Sequence, residues 1–513
     1  MATCAPPSFF DQFAADALIT DAAECAFYAQ DVFTKGPAPL AVFRPRNIDE
    51  LAAGISAAAA EGLAIIPRGG GMSYTSGYVA PEAGALIVDM GRMARILEID
   101  ETDMTVTVEA GCAWGALYEA LKPKGLRTPL WGTLSGIKAS VGGGASQNGL
   151  FWGARDGSLV DGALSFDVVL ADGSLLTTGK PFFRPYGPDL TGLFAADCGA
   201  LGIKARATLR LVHDGPAFGY SSFAFDHAND FFAAMSAIAR EGLAAESFGF
   251  DPFLQSQRMK RESLASDARS LVKLMKAQRT IGSALIEGAK LVAAGRSFLN
   301  DAAYSLHCIA EGRNQPGVDA DVERISRIAR DAGGRPVENS IPKVLRANPF
   351  PPPNSMVGPD GERWVPVHGF VPHSALADCW TAIHDLYRKY EADMLSRKVE
   401  AGAMFAAVSA SAALVEPVFF WPGALNPLHE TAVEPQHLAR LPRHLEDAEA
   451  TALVTTLRAE IIALFERFGA AHLQIGRTYP LKSAHDPAGW ALLQSVKRQL
   501  DPQGLMNPGS LGL

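Results

Sequence analysis

The stretch Ile65-Ile66-Pro67-Arg68-Gly69-Gly70-Gly71-Met72-Ser73-Tyr74 decides how this chain is read. An apolar run, predicted as a short buried strand over Leu63 to Pro67, leads straight into three consecutive glycines. Glycine tolerates positive φ, so successive main-chain N–H groups can converge on one concave spot. Such a nest suits a diphosphate, with the Ser73 hydroxyl as an added donor. No Gly-Lys-Ser/Thr follows, so this is not a nucleotide P-loop, and no G-x-G-x-x-G opens a helix, so it is not a Rossmann fingerprint. Three glycines alone fit a plain surface turn as well.

The surroundings mix strands and helices. Ala41 to Phe43 predicts a strand, and Asn47 with Glu50 three residues on predicts a capping box opening a helix to Glu61. Leu86 to Met90, Ile96 to Ile99, Thr105 to Ala110 and Lys204 to Val212 predict further strands, and Trp114 to Lys124 a helix. Leu164 to Leu170, Asp172-Gly173 and Leu175 to Thr178 predict a hairpin with a two-residue turn. The mixture implies an α+β domain. A break follows at His213-Asp214-Gly215-Pro216. Beyond it, helices are expected over Asp226 to Gly242, Leu254 to Asn300, Ser374 to Lys398 and Glu446 to Gly469. Strands are expected over Trp364 to Val371, Phe405 to Ala413 and Glu416 to Trp421. Residues 331 to 363, rich in Pro, Gly and Asn, are expected to be loop.

A second glycine cluster, Ser140-Val141-Gly142-Gly143-Gly144-Ala145-Ser146-Gln147-Asn148-Gly149, lies further on. Phe166 to Gly173 follows, then Tyr186-Gly187-Pro188-Asp189-Leu190, leading to Gly199-Ala200-Leu201-Gly202-Ile203. The chain ends Leu500-Asp501-Pro502-Gln503-Gly504-Leu505-Met506-Asn507-Pro508-Gly509 and a short remainder. In this order the segments resemble the vanillyl-alcohol oxidase/p-cresol methylhydroxylase (PCMH-type) superfamily of FAD enzymes. The resemblance is densest over 38–213 and 470–513.

It implies an N-terminal helical segment (1–37), a two-subdomain FAD-binding domain (38–213), an inserted α+β cap for the substrate (214–468) and a tail returning to the flavin (469–513). It implies that Pro67, Arg68, Gly69, Gly70, Gly71, Met72, Ser73 and Tyr74 cradle the pyrophosphate. Gly142, Gly143, Gly144, Ser146, Gln147 and Asn148 would run beside the isoalloxazine and ribityl chain. Gly199, Gly202 and Ile203 would meet the adenosine half, and Asn507 would close the site. Many relatives bond the flavin to a histidine in the first glycine loop, where this chain has Met72. A thioether cannot make that linkage, so non-covalent FAD is expected. His429 is a residual candidate for a covalent bond from the cap.

On the substrate side, Arg477 matches the arginine that holds a phenolate in relatives acting on phenols. Gly476 replaces the tyrosine before it, and Tyr479 is a candidate substitute. A guanidinium suits a phenolate or a carboxylate, and equally a structural ion pair. The catalytic aspartate of phenol oxidases falls at Asn148, which cannot accept a proton at neutral pH, so the base is sought in the cap at His368 or Glu416. The metal-binding segments of the D-lactate dehydrogenase branch are absent, and no metal is expected. The expected activity is hydride transfer from an alcohol, phenolic or hydroxy-acid substrate to FAD. A flavin-dependent transferase of the alkyl-dihydroxyacetonephosphate synthase type and a flavin-binding protein without turnover are the alternatives.

The 513 residues carry a net charge of −9, which argues against bulk attraction to nucleic acid. The six cysteines form no C-x-x-C pair, which fits reduced thiols in the cytoplasm. The opening residues carry no signal-peptide pattern, and no apolar run is long enough to span a bilayer. Between Arg258 and Arg296 basic residues outnumber acidic ones and apolar residues recur at helical spacing. That insert reads as a cap helix packed on its own domain, or as a face for an acidic electron-carrier protein or the inner membrane surface. A homodimer is left open.

Overall fold

The computed structural model describes Phe9, residues 12–261 and residues 303–513. The basic insert beyond Arg261 therefore lies outside the described residues. The chain divides into two compact units: Met1–Leu150, Ser158–His213 and His472–Leu513 make the first, Phe151–Gly157 and Asp214–Ala471 the second. Both mix helices and sheets, and the class is α+β.

The first unit holds two principal sheets. One has the order Leu18–Ile19, Ala41–Phe43, Leu86–Asp89, Ile65–Arg68, and its last three strands run parallel. Short runs of Ile, Val, Leu and Phe, buried on both faces, form these strands, as parallel strands require. Helix Ile48–Ala60 covers them, burying Leu51, Ile55 and Ala58. The Asn47 side chain caps it by accepting from Glu50 N (2.9 Å). The return bond differs from a capping box, because Glu50 accepts from Arg46 N (2.8 Å) and pairs with the Arg46 guanidinium. The other sheet is antiparallel, in the order Ile96–Asp100, Thr105–Glu109, Ile203–Arg210, Ala163–Val169, Leu175–Thr177. Its last hairpin turns over Leu170 to Ser174, wider than the two-residue turn expected. Asp172 Oδ1 accepts from Ser174 N (2.8 Å) and its hydroxyl (2.6 Å), and Leu170 N bonds Ser174 O (2.9 Å).

The second unit is one sheet in the order Arg335–Pro336, Ala217–Phe225, Tyr304–Gly312, Glu246–Phe250, Glu400–Val408, Ala412–Trp421, Arg363–Pro366, with Gly369–Pro372 also on Ala412–Trp421. Helices Ala228–Arg240, Gln315–Asp331, Leu376–Lys389 and Ala448–Arg467 cover one face. Phe405 packs on Phe231 and Trp380, Phe419 on Tyr387, and Gly369 sits under Phe465. Several expectations are corrected. Residues 331–363 contain helix Ser340–Ala347. The strand expected over Trp364 to Val371 is two pieces, broken at Val367-His368. The helix expected over Ser374 to Lys398 is two, Leu376–Lys389 and Glu391–Ser396, meeting at Tyr390.

Candidate functional site

The glycine loop leaves the carboxyl end of strand Ile65–Arg68. A Cβ on Gly70 would lie 1.9 Å from Lys138 O, and one on Gly69 would lie 2.4 Å from Ser140 Oγ. Gly71 has φ +68°, and its Cβ would lie 2.4 Å from Arg68 Nη2. The loop is thus bare main chain pressed against the segment before the second glycine run. Among the described residues, the N–H groups of Gly70, Gly71, Met72 and Ser73 have no protein acceptor. Successive unpaired donors on a tight turn are what an anion nest offers.

Arg68 lies beneath this turn, 5% exposed. Its guanidinium carbon is 4.6 Å from the Tyr28 ring centroid, 5.0 Å from Phe27 and 5.4 Å from Tyr78, and Nε has no partner. A buried cation held by rings alone is costly, and a bound anion would offset that cost. Tyr28 donates to Asp89 Oδ2 (2.9 Å), and burial, then Asp89, pushes its pKa up to about 12. Sequence reading missed this cage, since Phe27 and Tyr28 come from a helix with no motif. Met72 is half-buried, Tyr74 is buried, and the Ser73 hydroxyl is shared with Thr75 Oγ1 (3.1 Å).

The second glycine run is not a loop. Val141–Gln147 is a helix, N-capped by Ser140, whose Oγ accepts from Gly143 N (3.2 Å). Its early donors are all occupied: Val141 N by Cys112 O, Gly142 N by Ala110 O, Gly144 N by Ser140 O, each at 2.8 Å. A Cβ on Gly142 would lie 2.4 Å from Ala110 Cβ, which brings the helix onto the strand end. Ser146 O accepts from Cys198 N, and Gln147 O from Gln474 N (both 2.8 Å). Asn148 ends the helix in the left-handed region (φ 53°), and its buried Oδ1 has no partner.

Gly199 (φ +71°) packs on Pro67, where a Cβ would lie 2.5 Å from Cγ. A Cβ on Gly202 would lie 2.5 Å from Val168, and Ile203 opens its strand fully buried. The turn is fixed by Asp197, which accepts from Gly199 N (2.9 Å) and from the buried Lys204 Nζ (2.5 Å). Burial pushes the Asp197 pKa up against the pull of Lys204.

The tail returns through Asn507, fully buried, which donates to Gly77 O (2.9 Å) and Cys198 O (2.7 Å). Arg477 donates from Nη1 to Ser76 O and Val79 O, from Nη2 to Asn507 Oδ1 and Pro508 O, and from Nε to Pro508 O, at 2.6–3.1 Å. All five guanidinium donors are taken, so in this geometry Arg477 ties the tail to the glycine loop and has none left for a substrate anion. Burial lowers its pKa to about 10, so it stays charged at neutral pH. Gly476 has no room for a side chain, because a Cβ would lie 2.3 Å from Thr75 O. Tyr479 is buried with its ring stacked on His472, centroids 4.2 Å apart.

The remaining candidates lie in the second unit. Pro366 pairs with Val418 and Gly369 with Val415, which puts His368 opposite Glu416 across the break. Val367 N bonds Pro417 O (2.8 Å) there. Glu416 in turn pairs with Met404, and Met404 with Phe250. Strand alternation sets Glu416, His368, Met404 and Phe250 on the face opposite to Phe405, Phe419 and the four helices. Phe248 and His307 share that face, with ring centroids of Phe248 and Phe250 at 5.5 and 5.8 Å from His307. His307 Nδ1 meets Ser222 Oγ at 3.0 Å. Sequence reading missed His307, Phe248 and Phe250. His429 lies in a different place: its Nδ1 meets Asn426 Oδ1 (2.6 Å) in a helix cap, and burial lowers its pKa to about 3.

Known proteins match the same regions. Residues 39–179 match the model of an FAD binding domain, and residues 475–511 match that of the FAD linked oxidases, C-terminal domain. The glycolate oxidase subunit GlcD of Bacillus subtilis is 36% identical over 34% of this chain and 37% of its own length. A D-2-hydroxyglutarate dehydrogenase of Xanthomonas citri pv. viticola is 31% identical over 44% of this chain and 48% of its own. The chain thus spans less than half the length of these relatives. The structure of p-cresol methylhydroxylase with substrate bound superposes with TM-score 0.73 at 18% identity, covering 99% of this chain and 96% of that one. FAD fits the first unit: unpaired N–H groups over a caged cation would suit a diphosphate, and Asn148 Oδ1 is an open acceptor.

Proposed function

We propose that the chain is a member of the vanillyl-alcohol oxidase/p-cresol methylhydroxylase superfamily of FAD-binding proteins, whose motifs it resembles and whose fold it shares. From that premise we propose that it is an oxidoreductase that holds FAD without a covalent bond and oxidises a hydroxyl-bearing carbon on a substrate with an apolar or aromatic body. The carrying observation is the run of unpaired donors from Gly70 to Ser73 over the caged Arg68. These groups would hold the diphosphate. Gly199, Gly202 and Ile203 would lie along the adenosine half. The helix face of Gly143, Ser146 and Gln147 would lie along the ribityl chain and ring, with Asn148 Oδ1 accepting from a ring N–H. Bound FAD supplies the hydride acceptor. Met72 offers no nitrogen for a covalent link, and acid precipitation should leave all the flavin in the supernatant. A yellow pellet would contradict this.

For the substrate, we assign the region around His368 and Glu416 in the second unit, on the sheet face opposite helices Ala228–Arg240, Gln315–Asp331, Leu376–Lys389 and Ala448–Arg467. Glu416 and His368 stand in register there, a carboxylate and an imidazole able to take the hydroxyl proton. Strands Glu246–Phe250, Tyr304–Gly312, Glu400–Val408 and Ala412–Trp421 contain no lysine or arginine, and Arg477 is fully occupied. That favours a neutral substrate body over a small carboxylate. The names of the matched relatives point instead to 2-hydroxy acids. Anaerobic bleaching of the flavin decides: 4-hydroxybenzyl and related aromatic alcohols should bleach it, and bleaching by D-2-hydroxy acids alone would overturn the substrate assignment.

A further inference from the structure

Away from the glycine loops, the first unit carries an apolar recess of about 350 Å3. Helix Leu190–Phe194, strand Leu175–Thr177 and helix Pro487–Leu500 enclose it, with Leu176, Leu190, Leu193, Phe194, Val496 and Leu500 as lining. Beside it, the loop from Thr178 to Asp189 pushes Phe182, Phe183 and Tyr186 into solvent, 65%, 56% and 74% exposed. These are the only aromatics among the exposed large hydrophobics of the described residues. Leu492, also exposed, extends the stripe one helical turn from Val496. Isolated exposed apolar residues are ordinary, whereas a cluster with three aromatics on one loop marks a contact surface.

The charges around it identify the partner. Lys180 Nζ lies 5.8 Å from the Tyr186 ring centroid, and Arg498 Nη2 meets Ser495 Oγ (3.0 Å) on the recess wall. Neither has a carboxylate partner among the described residues, whereas Arg184 is paired with Asp189 (2.7 Å). In a chain of net charge −9, this patch is locally basic. Aromatic side chains favour the headgroup boundary of a bilayer, and flanking cations add attraction to anionic lipid.

We propose that this face docks peripherally on an anionic lipid bilayer, with Phe182, Phe183 and Tyr186 entering the headgroup boundary and Lys180 and Arg498 resting on lipid phosphates. A second copy is the poorer occupant, because two-fold pairing would set the same unpaired cations against each other. The proposal is independent of the flavin chemistry.

The test is co-sedimentation of the FAD-loaded full chain with vesicles of phosphatidylcholine, alone or mixed with phosphatidylglycerol. Binding is expected only to the mixed vesicles, weakening as salt rises. The combined variant Phe182→Ser, Phe183→Ser, Tyr186→Ser should bind at least about ten-fold more weakly with unchanged FAD content and melting temperature. Leu492→Gln, on the helix stripe, is a second variant expected to weaken binding should the loop variant fail to fold. No vesicle binding, binding unchanged in both variants, or a dimer in light scattering that the loop variant alone abolishes would each overturn the proposal.

Discussion

Two runs in the first unit look alike in sequence, Arg68-Gly-Gly-Gly-Met-Ser and Val141-Gly-Gly-Gly-Ala-Ser, and fold oppositely. The first is an open turn with unpaired donors from Gly70 to Ser73. The second is a helix whose opening donors are all occupied. The side chains ahead of each glycine triplet explain much of the difference. Ser140 supplies a capping oxygen that starts the helix, while Arg68 ends a strand and turns its guanidinium under the loop. Three glycines therefore specify close approach of main chain, and the flanking side chains decide whether the donors remain available.

That contrast can be broken most severely at Gly70. A methyl group there would meet Lys138 O, so Gly70→Ala should displace the turn. Losing two charge-assisted hydrogen bonds should weaken FAD binding by about 100-fold or more, read by flavin fluorescence. Next comes Arg68→Met, which keeps the ring packing and removes the charge. FAD should bind roughly ten-fold or more weakly, while riboflavin, which lacks the diphosphate, binds as before. An equal loss for both ligands would make Arg68 a packing residue only. Ser140→Ala should have the smallest effect: loss of an N-cap costs about 1 kcal/mol of stability, seen as a drop of a few degrees in melting temperature. A large loss of FAD affinity from that change would mean the helix start, and not the open loop, holds the anion.

The open loop was legible because an apolar strand feeding three glycines leaves little else for the chain to do. The helix was not: glycines disfavour helices, and Val141–Gln147 is held by contacts to Ala110, Cys112 and Gln474, all distant in sequence. Buried on both faces, strands such as Glu246–Phe250 lose the alternation that would mark them. Arg477 was legible as a residue of interest but not in its role, since its acceptors are carbonyls at Ser76, Val79 and Pro508 and an Asn507 side chain. His368 and Glu416 were each visible singly. Their pairing depends on strand register, which the break at Val367-His368 concealed.

We propose that the loop from Gly70 to Ser73 holds FAD by its diphosphate. It is tested most directly by titrating flavin-free protein with FAD and with riboflavin. FAD should bind at least about 100-fold tighter than riboflavin, and rising salt should erode the difference. Equal affinity for the two ligands, independent of salt, would contradict it.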